Sequence, residues 1–348
     1  MPEAARIEAD EARQLLAPLR NADLVLLAVS GGPDSIALLH LAVEAASGGS
    51  WPVMVVGSVD HQLQETSADV AAGVVHRAEA LGIAAHVLVW TGPKPETGLQ
   101  NAAREARYGL LQGLARRVGA SHLVTAHTLD DQAETILFRL ARGSGPAGLV
   151  GMRSAIEHHG LVHLRPLLGI AKARLLATCR HRGWGYVEDP ANRDPRHART
   201  RMRSLMPLLA AEGLDAETFA GLGQRLASMQ DAIASAARAL HRRAVLPSAP
   251  DRLVLDGSVL FAEPRAVSTA VLQEALSDFC HAGPPRLGRL EALVGELNQA
   301  SQSRRAITRT LHGAMVSLTV DARLELRREP ARRRGTAHPA RPNGAGSM

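Results

Sequence analysis

The fold is decided by residues 24–39, which read LVLLAVSGGPDSIALL. The apolar run at 24–29 predicts a buried strand, and the apolar positions after Ser35 recur with helical spacing. Between them lie two glycines, which permit unusual backbone angles and the close approach of a ligand. The helix begins directly after the turn, so its free N–H groups and positive dipole end face any anion bound there. The stretch therefore predicts a phosphate-binding turn between a strand and a helix.

The turn differs from a Walker loop, which carries a Lys-Ser/Thr pair after its second conserved glycine. Simple hydrolysis of a γ-phosphate is therefore disfavoured. A sharp turn in which Asp34 or Ser35 caps the helix would explain the glycines alone, but the complete block favours phosphate. The candidate residues are Ser30, Gly31, Gly32, Pro33, Asp34 and Ser35.

Apolar runs and helical patterns alternate along the first half of the chain. The predicted strands cover residues 53–61, 84–90, 122–127, 161–167 and 184–187. The predicted helices cover about residues 1–20, 66–81, 100–118, 130–142 and 170–182. This alternation predicts an α/β fold, a parallel sheet with helices on both faces. Ligands of such sheets bind at the carboxyl ends of the strands, where Ser30, Asp60 and His127 all fall.

The pattern changes after residue 188. Two helices are predicted at about 199–211 and 215–245, followed by strands at 253–255 and 259–261, helices at 264–281 and 286–299, a hairpin of 305–311 with 314–320, and a strand at 323–327. We therefore predict a catalytic domain at 1–212, a helical linker at 213–245 and a small α+β domain at 246–328. Residues 329–348, rich in Arg, Pro, Gly and Ala, are expected to be a disordered basic tail.

Charge and composition narrow the class of protein. Residues 1–195 carry a net charge of −2 and residues 196–348 a net charge of +8. A basic half beside a phosphate-binding half is typical of enzymes that act on nucleic acid. Cys179 and Cys280 lie far apart, which disfavours a disulfide framework and a zinc or iron–sulfur site. With no membrane-length apolar run and no signal-peptide pattern, a cytoplasmic protein without a membrane partner is expected.

A second block, residues 125–135, reads TAHTLDDQAET. His127 ends a predicted strand, and Asp130, Asp131 and Glu134 follow at the start of a helix, close enough in sequence to lie together. Helix capping explains Asp130, but it does not explain the whole cluster. Such a cluster can bind Mg²⁺, capture an ammonium group or accept a proton. The sequence leaves these three roles open.

Arginines form the remaining candidates. Arg104 and Arg107 lie one turn apart, and Arg199 and Arg203 share a face of the helix at 199–211, with Arg201 between them. Arginines are most often solvated, and we assign Arg104 to that class. The pair Arg199 and Arg203 is a candidate clamp on substrate or RNA phosphates.

Together these blocks carry a family resemblance. Residues 30–35 resemble the S-G-G-x-D-S signature of the PP-loop ATP pyrophosphatases, and within that superfamily the chain resembles the tRNA(Ile)-lysidine synthetases. Residues 59–63, 103–108, 127–149, 165–168 and 188–203 resemble further motifs of that family. The resemblance covers about residues 22–210 and is faint again at 311–329. Thr200 stands where the family usually has asparagine, which puts hydrogen bonding by that position in doubt.

The resemblance implies a two-step reaction. ATP, with Mg²⁺ as cofactor, adenylates O2 of the wobble cytidine in the CAU anticodon of tRNA(Ile) and releases pyrophosphate. The side-chain amine of free L-lysine then attacks C2 and displaces AMP, giving lysidine. A homodimer is compatible with the resemblance, which does not decide the oligomeric state.

The resemblance also implies roles for single residues. Residues 30–35 hold the ATP phosphates, Asp34 and Asp130 hold the metal, and Asp60 and His61 meet the adenosine. Asp131, Glu134 and Arg199 bind lysine. Arg201 and Arg203 bind tRNA, and the small domain at 246–328 is a tRNA-binding domain. The catalytic candidates are Asp34, Arg107, His127 and Asp131, and the choice of proton acceptor between the last two stays open.

Three other classes of protein were weighed against this one. A tRNA thiolation enzyme on the same scaffold generally needs paired cysteines, which this chain lacks. An amidating ligase of small molecules does not explain residues 189–203 or the basic C-terminal half. A non-catalytic RNA-binding protein would more often show aromatic platforms, and this chain has few aromatic residues.

Overall fold

The computed structural model describes residues 4–47, 49–158, 160–188, 198–280 and 285–329, without the side chains of residues 198 and 199. The chain divides into two compact units, Met1–Ala227 and Ser228–Met348. The division falls within the predicted linker of 213–245. The predicted tail lies outside the described residues except for Glu329.

The first unit contains a six-stranded sheet with helices around it. Its strands are β1 (Leu24–Ala28), β2 (Val53–Asp60), β3 (Ala84–Val89), β4 (His122–Val124), β5 (Ala155–His158) and β6 (Leu161–Leu164). Its helices are α1 (Ala9–Leu15), α2 (Pro33–Ala46), α3 (Ser67–Ala80), α4 (Leu99–Val118), α5 (Leu129–Ala141), α6 (Pro146–Leu149), α7 (Lys172–Arg182) and α8 (Ala198–Ala211). A final helix, α9 (Ala216–Ala244), continues past the boundary between the units.

The strand order is β3-β2-β1-β4-β6-β5, and all neighbours run parallel except the edge pair β5 and β6. The predicted α/β class is confirmed. The edge strand β5 was missed because all four of its residues are exposed and its sequence has no apolar alternation. A mixed edge of this kind is common on an otherwise parallel sheet.

Alternate residues of β1 enter two different cores, as the pleat of a strand requires. Val25 and Leu27 pack with α2, α3 and α7 on one face. Leu26 packs on the other face with Leu111 and Leu114 of α4. Because β1 is buried on both sides, its carboxyl end is held firmly at the middle of the sheet edge.

Two short segments differ from the prediction. Residues 184–187 form no strand, and the Val187 N–H instead donates to the Gly31 carbonyl oxygen at 3.0 Å. Residues 259–261, predicted as a strand, belong to the short helix α10 (Gly257–Phe261). The Asp256 side chain accepts from the N–H groups of Ser258 and Val259, which caps this helix.

The second unit is an α+β unit around an antiparallel sheet. Its strands are β7 (Val245–Leu246), β8 (Arg252–Asp256), β9 (Ile307–Leu311), β10 (Ala314–Leu318) and β11 (Arg323–Arg328), in the order β7-β8-β11-β10-β9. The helices α11 (Arg265–Cys280) and α12 (Leu287–Gln302) share its apolar core. His312 and Gly313, both with positive φ, form the two-residue turn of the predicted hairpin.

No helix in the described part of the chain combines the length and the apolar character needed to cross a membrane.

Candidate active site

The turn at residues 30–35 lies between β1 and α2, as predicted. Gly31 has a φ of +86°, and a Cβ at this position would lie 2.9 Å from Cγ1 of Val70 in α3. The turn therefore requires glycine for two reasons, backbone conformation and close packing. Gly32 is the extended N-cap residue and Pro33 opens the helix, where proline is favoured.

Hydrogen bonds hold the turn in place from both ends. The Ser35 hydroxyl donates to the Gly32 carbonyl oxygen at 2.9 Å, and it accepts from the Ser30 N–H at 3.2 Å. The bond from Val187 to the Gly31 carbonyl ties the turn to the segment after α7. The loop is thus preorganised at a helix N-terminus, the arrangement that binds anions.

Asp34 meets a lysine that the sequence analysis gave no role. Nζ of Lys172, the first residue of α7, lies 2.7 Å from Asp34 Oδ2. Asp34 Oδ1 is buried without a hydrogen-bond partner. Burial raises the pKa of Asp34, and the charge of Lys172 offsets this only in part. The available signal was that Lys172 is one of two lysines in the chain, the other being Lys94.

The acidic cluster comes next to this pair. The backbone N–H of Lys172 donates to Asp130 Oδ2 at 2.7 Å, and the charges of Asp131 and Asp130 further raise the pKa of Asp34. The structure therefore brings the loop aspartate and both cluster aspartates together, as the sequence analysis expected of residues at neighbouring strand ends.

Thr128 is the N-cap residue of α5, and Asp131 is its partner in a capping box. Asp131 Oδ2 accepts from the Thr128 N–H at 2.8 Å and from the Thr128 hydroxyl at 2.9 Å, completing a capping box with the bond from Asp131 N–H to that hydroxyl. Asp130 also lies in the first turn of α5, where the dipole favours a carboxylate, and in addition it accepts from the Lys172 backbone N–H of α7.

Glu134 and Arg203 form a bidentate ion pair. Glu134 is 5% exposed, and its two oxygens accept from Arg203 Nε at 2.6 Å and Nη2 at 3.1 Å. The pairing raises the pKa of Arg203. A residue expected at the lysine site and one expected to bind tRNA are thus in direct contact.

His127 ends a series of hydrogen-bonded side chains that includes the buried residues Thr125 and Arg165. Its Nδ1 is 2.8 Å from the Thr125 hydroxyl, which is 2.9 Å from Nε2 of His163, and Nδ1 of His163 is 3.1 Å from Arg165 Nη2. Burial lowers the pKa of His127 to about 4, helped by Arg165 and Arg107 and opposed by Asp131. None of Thr125, His163 and Arg165 was predicted from the sequence as a site residue.

Asp60 and His61 lie at the end of β2. Asp60 is buried, and its Oδ1 accepts from the Gln62 N–H at 2.8 Å and from the Ser67 hydroxyl at 2.5 Å. His61 packs edge-on to Trp90 with ring centroids 6.2 Å apart, and its Nδ1 is buried without a hydrogen-bond partner. Burial lowers the pKa of His61, with Arg107 adding to the effect.

Arg107 lies 5.4 Å from the centre of the Tyr108 ring, and its charge lowers the pKa of both His61 and His127. Arg104 is half-buried beside it, 5.0 Å from the Tyr108 ring, and lowers the pKa of His127 as well. The assignment of Arg104 to a solvated surface is wrong. Arg201 is exposed in α8, and the side chain of Arg199 lies outside the described residues.

The donor set suits a magnesium ion that also binds phosphate oxygens. The described residues contain no group of three or more His, Cys, Asp or Glu side chains arranged to hold a metal. Magnesium, however, is commonly held by one or two carboxylates together with substrate phosphates. The buried, unpartnered Oδ1 of Asp34 beside the loop is a donor of that kind.

Comparison with known proteins agrees with this geometry. A family model described as a PP-loop domain matches residues 5–209. A tRNA(Ile)-lysidine synthase of Methylobacterium sp. is 48% identical over 96% of this chain and 98% of its own. One from Bradyrhizobium diazoefficiens is 43% identical over 94% of this chain and 96% of its own.

Among solved structures, a U34-tRNA thiolase from Methanococcus maripaludis with its 4Fe–4S cluster matches with a TM-score of 0.53 and 18% identity, covering 62% of this chain and 78% of that chain. This likeness shows a shared fold. The family model and the full-length relatives show more: the chain belongs to the PP-loop domain family and, over nearly its whole length, to the tRNA(Ile)-lysidine synthase family.

Proposed function

We propose that this chain ligates L-lysine to C2 of the wobble cytidine in the CAU anticodon of tRNA(Ile), with cleavage of ATP to AMP and pyrophosphate. The product, lysidine, changes the codon read from AUG to AUA. The observation that carries the proposal is the full-length similarity to tRNA(Ile)-lysidine synthases in a chain whose phosphate loop is intact. Action on tRNA is consistent with a cytoplasmic protein.

ATP would place its β- and γ-phosphates on residues 30–35, where the N-terminus of α2 favours negative charge. Lys172 lies beside this site and adds a positive charge that the loop itself lacks. Asp34, with Asp130 nearby, would hold Mg²⁺, and the ion when bound would neutralise charge on the departing pyrophosphate. The contact of Lys172 with Asp34 keeps the carboxylate compensated until ATP and the cation arrive.

The adenosine would lie towards Asp60 and His61 at the end of β2. We assign Arg107 to the transferred nucleotide, and the assignment is supported by its charge, which lowers the pKa of both His61 and His127. A guanidinium is suited to the charge that develops on a phosphoryl group during transfer.

The lysine substrate would bind at the acidic cluster. Asp131 and Glu134 supply negative charge for its ammonium group. We assign Arg199 to its carboxylate, as the family resemblance implies. Both Glu134 oxygens are engaged by Arg203, so we assign Arg203 to the lysine site through this ion pair in addition to its earlier assignment to tRNA. The attacking amine must lose a proton, and Asp131 and His127 are the groups at hand.

The tRNA would bind through phosphate contacts of the basic C-terminal half. Residues 196–348 carry a net charge of +8, and Arg201 is an exposed residue of α8. We keep the assignment of residues 246–328 as a tRNA-binding domain. Such contacts provide affinity, while sequence discrimination comes from base contacts.

Thiolation remains disfavoured on the cysteines themselves. Cys179 is fully buried, and burial raises the pKa of its thiol to about 11. Burial also raises the pKa of Cys280. A sulfur carrier needs the opposite, an accessible thiol of lowered pKa.

The proposal is tested by following the two steps separately with ATP labelled in the α-phosphate. With tRNA(Ile) alone, label should become attached to the tRNA while pyrophosphate is released. Addition of lysine should then release labelled AMP, and addition of a sulfur donor should not. Release of AMP on the sulfur donor, or labelling of lysine in the absence of tRNA, would contradict the proposal.

A further inference from the structure

A series of hydrogen bonds links Arg165, His163 and Thr125 to His127, and Arg165 determines the donor and the acceptor in each of them. Arg165 is 6% exposed, and its Nη1 donates to the Arg153 carbonyl oxygen at 2.7 Å, which fixes the guanidinium in place. A guanidinium has donors and no acceptor. In the 3.1 Å contact between Arg165 Nη2 and His163 Nδ1, the imidazole nitrogen must therefore accept.

The protons of the next two groups follow from this. Burial, together with the charge of Arg165, lowers the pKa of His163 to about 3, so the ring is neutral at physiological pH. A neutral imidazole has one N–H, which must sit on Nε2 because Nδ1 accepts. His163 Nε2 then donates to the Thr125 hydroxyl at 2.9 Å. Among the described residues the hydroxyl has one other hydrogen-bond partner, His127 Nδ1 at 2.8 Å, so its single proton is directed there.

The last group in the chain is His127 itself. Its Nδ1 accepts from Thr125, so in the neutral ring the proton is on Nε2. A second proton on the ring is disfavoured most by burial, and further by the charges of Arg165, Arg107 and Arg104. The charge of Asp131 favours it but does not outweigh them.

We propose that Arg165, His163 and Thr125 are positioning residues that fix His127 in its Nε2–H form, so that His127 serves the reaction as a neutral hydrogen-bond donor and not as the proton acceptor. The group it would meet is an oxygen or ring nitrogen on which negative charge develops, such as an oxygen of the transferred phosphoryl group. A preorganised neutral donor of this kind stabilises developing charge without exchanging protons. The tautomer is independent of the reaction catalysed, while its use in the reaction rests on the proposed function.

The consequence for the mechanism is a choice between the two proton acceptors. With Nδ1 occupied by the Thr125 hydroxyl and Nε2 already protonated, His127 has no free lone pair in its ring. Asp131 is then the acceptor of the lysine proton among the two candidates. Asp131 lies next to His127, because its carboxylate accepts from the backbone N–H of the adjacent residue Thr128 at 2.8 Å.

The test is nitrogen NMR of the full-length protein with labelled histidine rings, where the signals of His127 are assigned by their loss in His127→Gln. The expected result at neutral pH is a neutral ring with a protonated Nε2. Thr125→Val, which keeps the shape and removes the hydroxyl, should shift His127 towards a mixture of tautomers, and Thr125→Ser should restore the single form. His122, whose Nδ1 contacts the Ser121 hydroxyl at 2.8 Å, is the internal control and should not change.

Activity provides a second readout. Thr125→Val should slow tRNA-dependent pyrophosphate release by about tenfold or more. The loss should be smaller than the roughly 10²–10³-fold loss expected when a direct hydrogen-bond donor is removed. Thr125→Ser should recover most of the lost rate. A protonated Nδ1 or a charged ring in active protein would overturn the inference and leave the ligase function standing. A fixed Nε2–H form in a protein that does not ligate lysine would support the inference about His127 and contradict the proposed function.

Discussion

Gly31→Ala tests whether the phosphate loop has the geometry described above. The new methyl would lie 2.9 Å from Val70 Cγ1 and 3.4 Å from Val74 Cγ2, and the backbone at φ +86° is unfavourable for alanine. The backbone contributes about 1–2 kcal/mol, and the forced packing contributes about 1–3 kcal/mol more. We therefore expect Gly31→Ala to cost about 2–5 kcal/mol. The cost would be seen as a lower free energy of unfolding or as displacement of the loop.

Gly82→Ala is the matched control, because Gly82 has a φ of +75° with nothing within 4 Å of the added Cβ. It should lose the backbone contribution alone, about 1–2 kcal/mol. Thermal unfolding and calorimetric ATP binding are measured for both variants, and Gly31→Ala should bind ATP at least about tenfold more weakly, the equivalent of about 1.4 kcal/mol. Adding Val70→Ala should recover part of the difference between the two variants. If Gly31→Ala binds ATP normally and is as stable as Gly82→Ala, the reasoning about the loop is refuted.

Three further predictions concern the charges around this loop. Lys172→Met should weaken ATP binding by about tenfold or more, the effect of losing one charge-assisted phosphate contact. Lys94→Met, at the other lysine of the chain, is the control and should weaken ATP binding less. Equal losses of ATP affinity in the two variants would contradict the role of Lys172. Arg203→Met should destabilise the protein by about 2–3 kcal/mol. This is below the usual loss for a fully buried ion pair, because the Arg203 side chain is 45% exposed and that of its partner Glu134 is 7% exposed. Arg203→Lys should raise the KM for lysine more than the KM for ATP. A change in tRNA affinity alone would place Arg203 outside the lysine site. The folded-state pKa values of His127 and His163 are lowered to about 4 and about 3, so the unfolded chain binds more protons below about pH 6.5. Stability should be full above that pH and fall as the pH drops towards 4, and His163→Gln should reduce this slope in urea-unfolding experiments; an unchanged slope would contradict the buried neutral ring.

The sequence predicted the parts of the fold that depend on local pattern. The strand at β1 and the glycine turn were predictable because an apolar run and a helical period meet at Gly31 and Gly32. The same reasoning predicted the hairpin at His312 and Gly313. It failed at residues 155–158, where an exposed edge strand depends on its neighbour β6 and not on its own apolar residues.

The candidate site was predictable as a location and less so as a set of contacts. Parallel strands bring Asp34, His127 and Asp131 to one edge, and that follows from strand order. The partner of Asp34 is 138 residues away in the sequence, and the partner of Glu134 is 69 residues away. Neither pairing has a local signature, because each depends on how α7 and α8 pack beside the sheet.

The charge of a group was also beyond the reach of the sequence. A histidine between several arginines and one carboxylate titrates according to burial and distance, neither of which a motif gives. The motif around His127 is compatible with a proton acceptor, and the inference against that role depends on contacts with Thr125, His163 and Arg165 that the motif does not contain.

The most direct test of the ligase assignment is incorporation of labelled lysine. The protein is incubated with ATP, labelled lysine and a tRNA(Ile) transcript bearing the CAU anticodon, and the tRNA is digested to nucleosides. We predict label in a single modified nucleoside derived from the wobble cytidine, absent when ATP is omitted or when that cytidine is replaced by uridine. Label elsewhere in the tRNA, or none with an active preparation that releases pyrophosphate, would contradict the account.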